Sequence, residues 1–206
     1  MYVPKFYRTD DLEFVRTFIG ENGFAILFSQ VSGRPWATHL PLLLTKDDSG
    51  KEVLTGHLSK ANLQGKELEN QPEVLAVFTG PHAYVSSSWY DHENVPTWNY
   101  LAVHVYGRIR IISGDRLKEQ LGKMVDKYEK GLVNPVSVKK MSPGFLEKEM
   151  GGIIGFEIEI NEVQAALKMS QNRDDRNYER IIEGLTRKGD PASQQMADLM
   201  RKRKPR

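Results

Sequence analysis

Histidine, hydroxyl and cationic side chains gather in the first half of this chain, and their spacing limits the chemistry open to them. Five histidines, His39, His57, His82, His92 and His104, lie between positions 39 and 104. Metal ligands converge most simply from one face of a strand or helix, at i,i+2 or i,i+4, and no pair of these histidines has either separation. The 206 residues include no cysteine, which excludes a thiolate zinc site, iron–sulfur ligation, a thiol nucleophile and a disulfide framework. Ser86, Ser87 and Ser88 stand near His82, Asp91 and His92, the residue types of a hydrolytic triad, but no G-x-S-x-G turn frames a nucleophile. The histidines therefore read as hydrogen-bonded members of a site or interface, with His39 and His82 as first choices for an acid or base.

Common nucleotide signatures are missing. There is no G-x-G-x-x-G, and Gly65-Lys66 is followed by Glu67 rather than Ser or Thr. Gly56-His57-Leu58-Ser59-Lys60-Ala61-Asn62 offers another route to a phosphate: it falls where a strand ends and a helix begins, and combines hydroxyl, ammonium, amide and free N–H donors. An ordinary helix start capped by Ser59 explains the same residues. Gly80 to Tyr90 and Val95 to Tyr100 mix rings with hydroxyls. A large planar heterocycle needs that pairing of flat walls and directional polar groups, and a packed barrel corner or dimer seam has the same composition.

The elements that must position these groups follow from periodicity. Asp10 to Gly20 spaces Leu12, Val15, Phe18 and Ile19 as a helix does. Gly23 to Val31 and Trp36 to Leu44 predict a hairpin about an SGRP turn, with Pro41 at an edge, bulge or barrel rim because it cannot donate to a ladder. A strand at Glu52 to His57, a polar helix near Lys60 to Asn70 and a strand at Val74 to Gly80 come next. In Thr97 to Ile112, parity separates two chemistries: Leu101, Val103, Val105, Ile109 and Ile111 share one face, while Trp98, Tyr100, His104, Tyr106, Arg108 and Arg110 share the other. Such a long strand is expected to bend at Gly107, and its aromatic face to be covered by a ligand or a second subunit. A helix through Lys130, a short helix to Met150, a strand at Ile153 to Ile160 and two helices joined by Lys188-Gly189-Asp190-Pro191 complete the chain. Short strands finished by helices predict an α+β barrel rather than alternating βαβ units.

Length fits one domain with a helical appendage. No apolar run approaches the roughly 18 residues of a membrane span and no signal-peptide pattern opens the chain, so the expectation is a cytoplasmic protein with no membrane partner. Formal net charge is +2, but Arg201 to Arg206 holds five basic residues, and without it 24 Lys+Arg face 27 Asp+Glu. Such a tail could neutralise nucleic-acid phosphates, although short charged termini are more often solvated.

Taken in order, Met1-Tyr2-Val3-Pro4, ATHLPLLL (37–44), GHLSKAN (56–62), GPHAYVSSSWY (80–90), VPTWNYLAVHVYG (95–107) and KMSQNR (168–173) resemble the PaiB family, flavin-binding negative transcriptional regulators of protease synthesis and sporulation. The resemblance implies an FMN-binding split β-barrel: a six-stranded antiparallel Greek-key barrel with peripheral helices and a C-terminal helical segment, related in architecture to pyridoxamine-phosphate oxidases. Residues 1–174 would form the barrel domain and 175–206 a helical appendage with a basic tail. It implies FMN as cofactor, held at the interface of a homodimer. Ser59, Lys60 and Asn62 would approach the phosphate; Thr38, His39, Trp98, Asn99 and Tyr100 would lie around the ring system; and Lys168, Ser170, Gln171, Asn172 and Arg173 would close the site from the C-terminal side. This chain has Ser59-Lys60 where the family commonly reads Ala-Arg, which replaces a bidentate fork by a point charge. Leu63 and Ser87 stand where prolines are usual, and Phe6 where a histidine often occurs.

The function implied is a PaiB-type regulator repressing protease and sporulation genes, with the C-terminal helices and tail as candidate DNA contacts. A helix-turn-helix or an αα-hairpin packed on the barrel fits Asp175 to Arg206, and the hairpin is favoured. The alternative is an FMN-dependent oxidoreductase, in which the cofactor does the chemistry. A third class is a flavin-dependent sensor whose dimer meets DNA or another regulator.

Overall fold

The computed structural model describes residues 1–70 and 72–203. In chain order its strands and α-helices are β1 (Arg8–Thr9), α1 (Leu12–Glu21), β2 (Phe24–Val31), β3 (Arg34–Pro41), β4 (Leu43–Lys46), β5 (Glu52–Ser59), α2 (Leu63–Glu67), β6 (Glu73–Val85), β7 (Thr97–Ile112), α3 (Gly114–Glu129), α4 (Pro143–Gly151), β8 (Ile153–Lys168), α5 (Asp175–Lys188) and α6 (Pro191–Lys202). The sheet runs β3-β2-β6-β7-β8-β5-β4, with β1 paired to β8. The β2–β3, β2–β6, β4–β5, β5–β8 and β1–β8 pairs are antiparallel. The first and last strands of that order are consecutive in the chain across Leu42, the connection that turns an open sheet into a barrel.

The implied six strands become eight among the described residues for local reasons. The predicted Trp36 to Leu44 strand divides after Pro41, and buried Leu42 donates its N–H to the Gly23 carbonyl, 2.8 Å away, before β4 pairs with β5. The two-residue β1 is the other addition. The predicted hairpin forms, but its turn is Ser32-Gly33, with φ of 51° and 74°, so Arg34 and Pro35 already belong to β3. Positive φ at both central residues matches the twist of the flanking strands.

Two further strands run beyond their predicted ends. β6 continues through Gly80-Pro81 to Val85; its ladder with β2 covers residues 75–77, so on that side Pro81 has no bond to lose. β8 extends from Ile153 to Lys168 because the polar stretch after Ile160 contains no breaker. The polar helix expected near Lys60 to Asn70 shortens to α2. β7 has its predicted bounds, and its facing holds as far as Arg110: Leu101, Val103, Val105 and Ile109 are buried, while Trp98, Arg108 and Arg110 are exposed; at the end of the strand Ile111, expected inward, is half-buried and Ile112 is buried instead. At Gly107 a Cβ would stand 2.2 Å from the Glu159 carbonyl oxygen, so only glycine permits this approach of β7 to β8.

The chain divides into two compact units. One comprises Ile19–Phe78 and Val105–Val163, with Leu27, Leu54, Phe78, Phe156 and Ile158 in its core. The other comprises Met1–Phe18, Thr79–His104 and the described residues from Gln164 onward, so the helices expected as an appendage share a unit with the N-terminal segment. There α5 and α6 form an αα-hairpin: Gly189 turns the chain at φ 73°, Asp190 caps α6 through Ser193 N–H, and Ile181, Leu185, Met196 and Met200 are buried. Of the basic tail, Arg201 bonds Asp198 and Thr186, and Arg203 lies over the Phe14 ring at 4.3 Å. Residues 204–206 lie outside the described residues.

Candidate functional site

The residues expected around a flavin fall into two groups, one in each unit. Thr38, His39, Ser59, Lys60 and Asn62 belong to the unit built on β2–β5. Asn62, not Ser59, caps α2: its Oδ1 accepts from Gln64 N–H at 2.9 Å, while its Nδ2 donates to Thr38 Oγ1 at 3.0 Å. That amide ties the loop to β3 and keeps one N–H for a ligand. Ser59 Oγ accepts from Ala61 N–H at 3.2 Å, Asn62 N–H bonds the Ser59 carbonyl, and Lys60 N–H bonds the Gly152 carbonyl. The free backbone N–H groups expected at this turn are therefore taken at residues 60 to 62, and an anion here would meet side chains.

Ser59 retains its hydroxyl proton, and the exposed Lys60 ammonium faces no carboxylate partner among the described residues. Lys60 also borders a groove of about 390 Å³ walled by Ile111, Leu117, Met150 and Ile154. His39 is exposed and stacks on Phe24, ring centroids 6.2 Å apart.

The second group lies along β7 and the end of β8. Trp98 is half-exposed and meets the Tyr84 ring edge-on at 5.9 Å and His82 at 6.1 Å, so three rings form one exposed cluster. Tyr100 is half-buried. Asn99 points to the other face and is wholly buried; its Oδ1 accepts from the Ser170 hydroxyl at 3.0 Å and its Nδ2 reaches Met200 sulfur at 3.5 Å. Ser170 is itself buried and holds φ 57°, a conformation that non-glycine residues adopt only under local constraint. Gln171 supplies more of that constraint: it accepts from Met169 N–H and donates to the Leu167 and Phe6 carbonyls. Asn99, Ser170 and Gln171 thus shape the turn, whereas Lys168, Asn172 and Arg173 present polar groups from it. Lys168 Nζ donates to Thr97 Oγ1 at 2.6 Å, and Arg173 lies 5.1 Å from the Tyr90 ring centroid. Burial, then the Arg173 charge, lowers the Lys168 pKa.

Tyr7, Tyr90 and Thr97 were not singled out in the sequence as partners of these cations. They lie 71 or more positions from them, and no spacing signal spans such a gap. Nor did any pattern announce Glu157, a buried carboxylate held by Arg110 at 2.6 Å and Arg116 at 2.7 Å. Among the described residues no group of three or more His, Cys, Asp or Glu is placed to hold a metal ion. His104 keeps a buried Nδ1 without a hydrogen-bond partner among the described residues, and burial lowers its pKa, as it does that of His57.

These residues suit a phosphorylated flavin. A cation without an acid partner and a hydroxyl with a free proton match a phosphate, and the exposed Trp98 cluster offers flat apolar surface for a tricyclic ring. Within their own unit, Ser59 and Lys60 are the residues that would hold a phosphate; when bound, the cofactor supplies electron and hydride transfer.

Comparison with known proteins agrees. Residues 1–162 match a family described as "Putative FMN-binding domain". Among solved structures, the FAD and heme binding protein from Mycobacterium smegmatis superposes with a TM-score of 0.63 at 15% identity, covering 79% of this chain and 73% of that one. The flavocytochrome Anf3 from Azotobacter vinelandii gives 0.61 at 20% identity, covering 86% of this chain and 78% of that one. At such identities the likeness is one of fold. Fold and family match together define the class, an FMN-binding split-barrel protein, and FMN is the cofactor that membership assigns.

"Protease synthase and sporulation protein PAI 2" of Bacillus subtilis (strain 168) is 46% identical over 97% of this chain and 96% of its own length. The chain belongs to the PaiB family.

Proposed function

We propose that this protein is a flavin-binding negative transcriptional regulator of the PaiB type, acting on protease production and sporulation genes as a cytoplasmic homodimer. The observation that carries the reading is the end-to-end identity with PAI 2, which spans both compact units and the C-terminal helices. In one unit Ser59, Lys60 and Asn62 serve the FMN phosphate and Thr38 and His39 the ring system; in the other, Trp98 and Tyr100 serve the ring system and the turn from Lys168 through Arg173 contributes polar groups to flavin binding. Asn99, Ser170 and Gln171 act there by fixing the turn, and Asn172 adds an exposed amide. The half-exposed Trp98 cluster is the surface a partner subunit covers. DNA is met through α6 and the basic tail, of which Arg201 and Arg203 also contact the chain itself.

An FMN-dependent oxidoreductase is the second reading, favoured by His82, an exposed imidazole beside Trp98 whose Nδ1 donates to the Gly80 carbonyl at 3.3 Å. Flavin titration tests the site: Lys60→Ala weakens FMN binding by roughly 10- to 100-fold, the value of one charge-assisted contact, and leaves riboflavin unchanged. Unchanged FMN affinity refutes the phosphate assignment. Binding of a promoter fragment that weakens steeply with salt and disappears on deleting residues 201–206 supports the regulator. Rapid bleaching of the flavin by NAD(P)H without an added reductase selects the enzyme.

A further inference from the structure

Lys168 and Arg173 bring two positive charges to one short turn, and no carboxylate among the described residues pairs with either. Two nearby acids, Asp174 and Asp91, are engaged elsewhere. Asp174 caps α5 and accepts from Asn177 Nδ2 at 2.8 Å, and Asp91 takes Asn177, His92 and Arg176. What stands beside the two cations instead is phenol. Arg173 lies over Tyr90 and Lys168 lies 5.7 Å from the Tyr7 ring. Tyr90 is 6% exposed, and its hydroxyl is buried with no hydrogen-bond partner among the described residues. Burial raises the Tyr7 pKa, Arg173 opposes the rise, and Tyr90 and Tyr100 add to it, so three phenols share one electrostatic neighbourhood with the guanidinium.

A buried donor without an acceptor and two cations without an anion are each unfavourable alone. One group relieves both: an oxygen anion, which accepts from the phenol and neutralises the cations. Arg173 presents a planar fork suited to two oxygens and Lys168 a point charge. We propose that Lys168, Arg173 and the Tyr90 hydroxyl together bind the oxyanion, carboxylate or phosphate, of a ligand of this protein. The proposal deepens the reading of the site given above, because Lys168 and Arg173 belong to it.

The test uses the full chain freed of flavin, titrated by calorimetry with inorganic phosphate and with benzoate at constant ionic strength, and then with FMN and with riboflavin. Lys168→Met and Arg173→Met each weaken oxyanion binding by about tenfold, and Lys168→Arg restores it. Tyr90→Phe weakens it by roughly fivefold without moving the thermal midpoint, because the lost hydroxyl has no protein partner; a merely structural role would give the reverse. If the oxyanion is the flavin's own phosphate, the Met variants lose the preference for FMN over riboflavin. If it belongs to a separate ligand, that preference survives and only phosphate or benzoate binding falls. Variants that leave phosphate, benzoate and the FMN-to-riboflavin ratio all unchanged overturn the proposal, even where FMN binds tightly. Oxyanion binding with the stated dependence in a protein that takes no flavin sinks the cofactor reading alone.

Discussion

Two charged clusters in this molecule are built on opposite terms. Around Glu157 the charges are neutralised within the chain: the buried carboxylate takes Arg110 and Arg116, and Arg116 also meets Asp48, Glu119 and the Lys46 carbonyl. Around Lys168 and Arg173 no acid among the described residues pairs with either cation, although acids stand close by in sequence. The first arrangement needs nothing from outside and serves the barrel. The second leaves, among the described residues, two cations without an acid and a buried phenol without a partner, the features on which the oxyanion proposal rests. Buried or partly buried charge is thus a sign of function only where the balance does not close.

The contrast can be broken by experiment. Glu157→Gln should cost about 2–3 kcal/mol in urea unfolding, toward the low end for breaking a buried ion pair, because the exposed Arg110 can rehydrate. Loss of stability at Lys168→Met on that scale, or none at Glu157→Gln, would erase the distinction. Gly107→Ala should cost on the order of 2 kcal/mol, since its Cβ meets the Glu159 carbonyl and backbone must move. Asn99→Leu should cost about 1–2 kcal/mol by orphaning the buried Ser170 hydroxyl, and should loosen the turn that carries Lys168 and Arg173, lowering FMN affinity with it.

The smallest effect concerns acid. The Asp91 carboxyl is pulled down to about 2, chiefly by its bonds from His92 and Asn177, and Asp190 to about 2 by Ser193. A carboxyl whose folded pKa lies below its unfolded value stabilises fully above the unfolded value, near 3.8, and loses that contribution as pH falls through the folded one. Asp91→Asn and Asp190→Asn should therefore flatten the fall of the thermal midpoint between about pH 4 and pH 2. They should leave it little altered at acid extremes, where the carboxylates are already protonated.

Much of the scaffold was legible because its signals are local. Parity alone found β7 and its buried face, and Gly189-Asp190-Pro191 announced the α5–α6 turn through an αL residue, a cap and a proline. The misreadings were local too. Ser59 competes for the nearer Ala61 N–H, which left the cap to Asn62 and spent the amides expected to face a phosphate. β8 outran its predicted end because a polar stretch without a breaker still pairs: Arg8 and Thr9 of β1 lie opposite Ala166 and Ala165. The KMSQNR stretch was noticed only as a resemblance. Its division into residues that build the turn and residues that present charge follows from Asn99 and Thr97, at the opposite end of β7 from its arginines.

By itself, the sequence determined the buried face of β7 as far as Ile109, the turn between α5 and α6, the absence of cysteine chemistry and the family. Only the tertiary structure decided which charges find partners. Glu157 meets its arginines, and Lys168 and Arg173 meet phenols rather than acids, through contacts between residues tens of positions apart. Such contacts depend on strand register and chain path, and no periodicity along the chain encodes those distances.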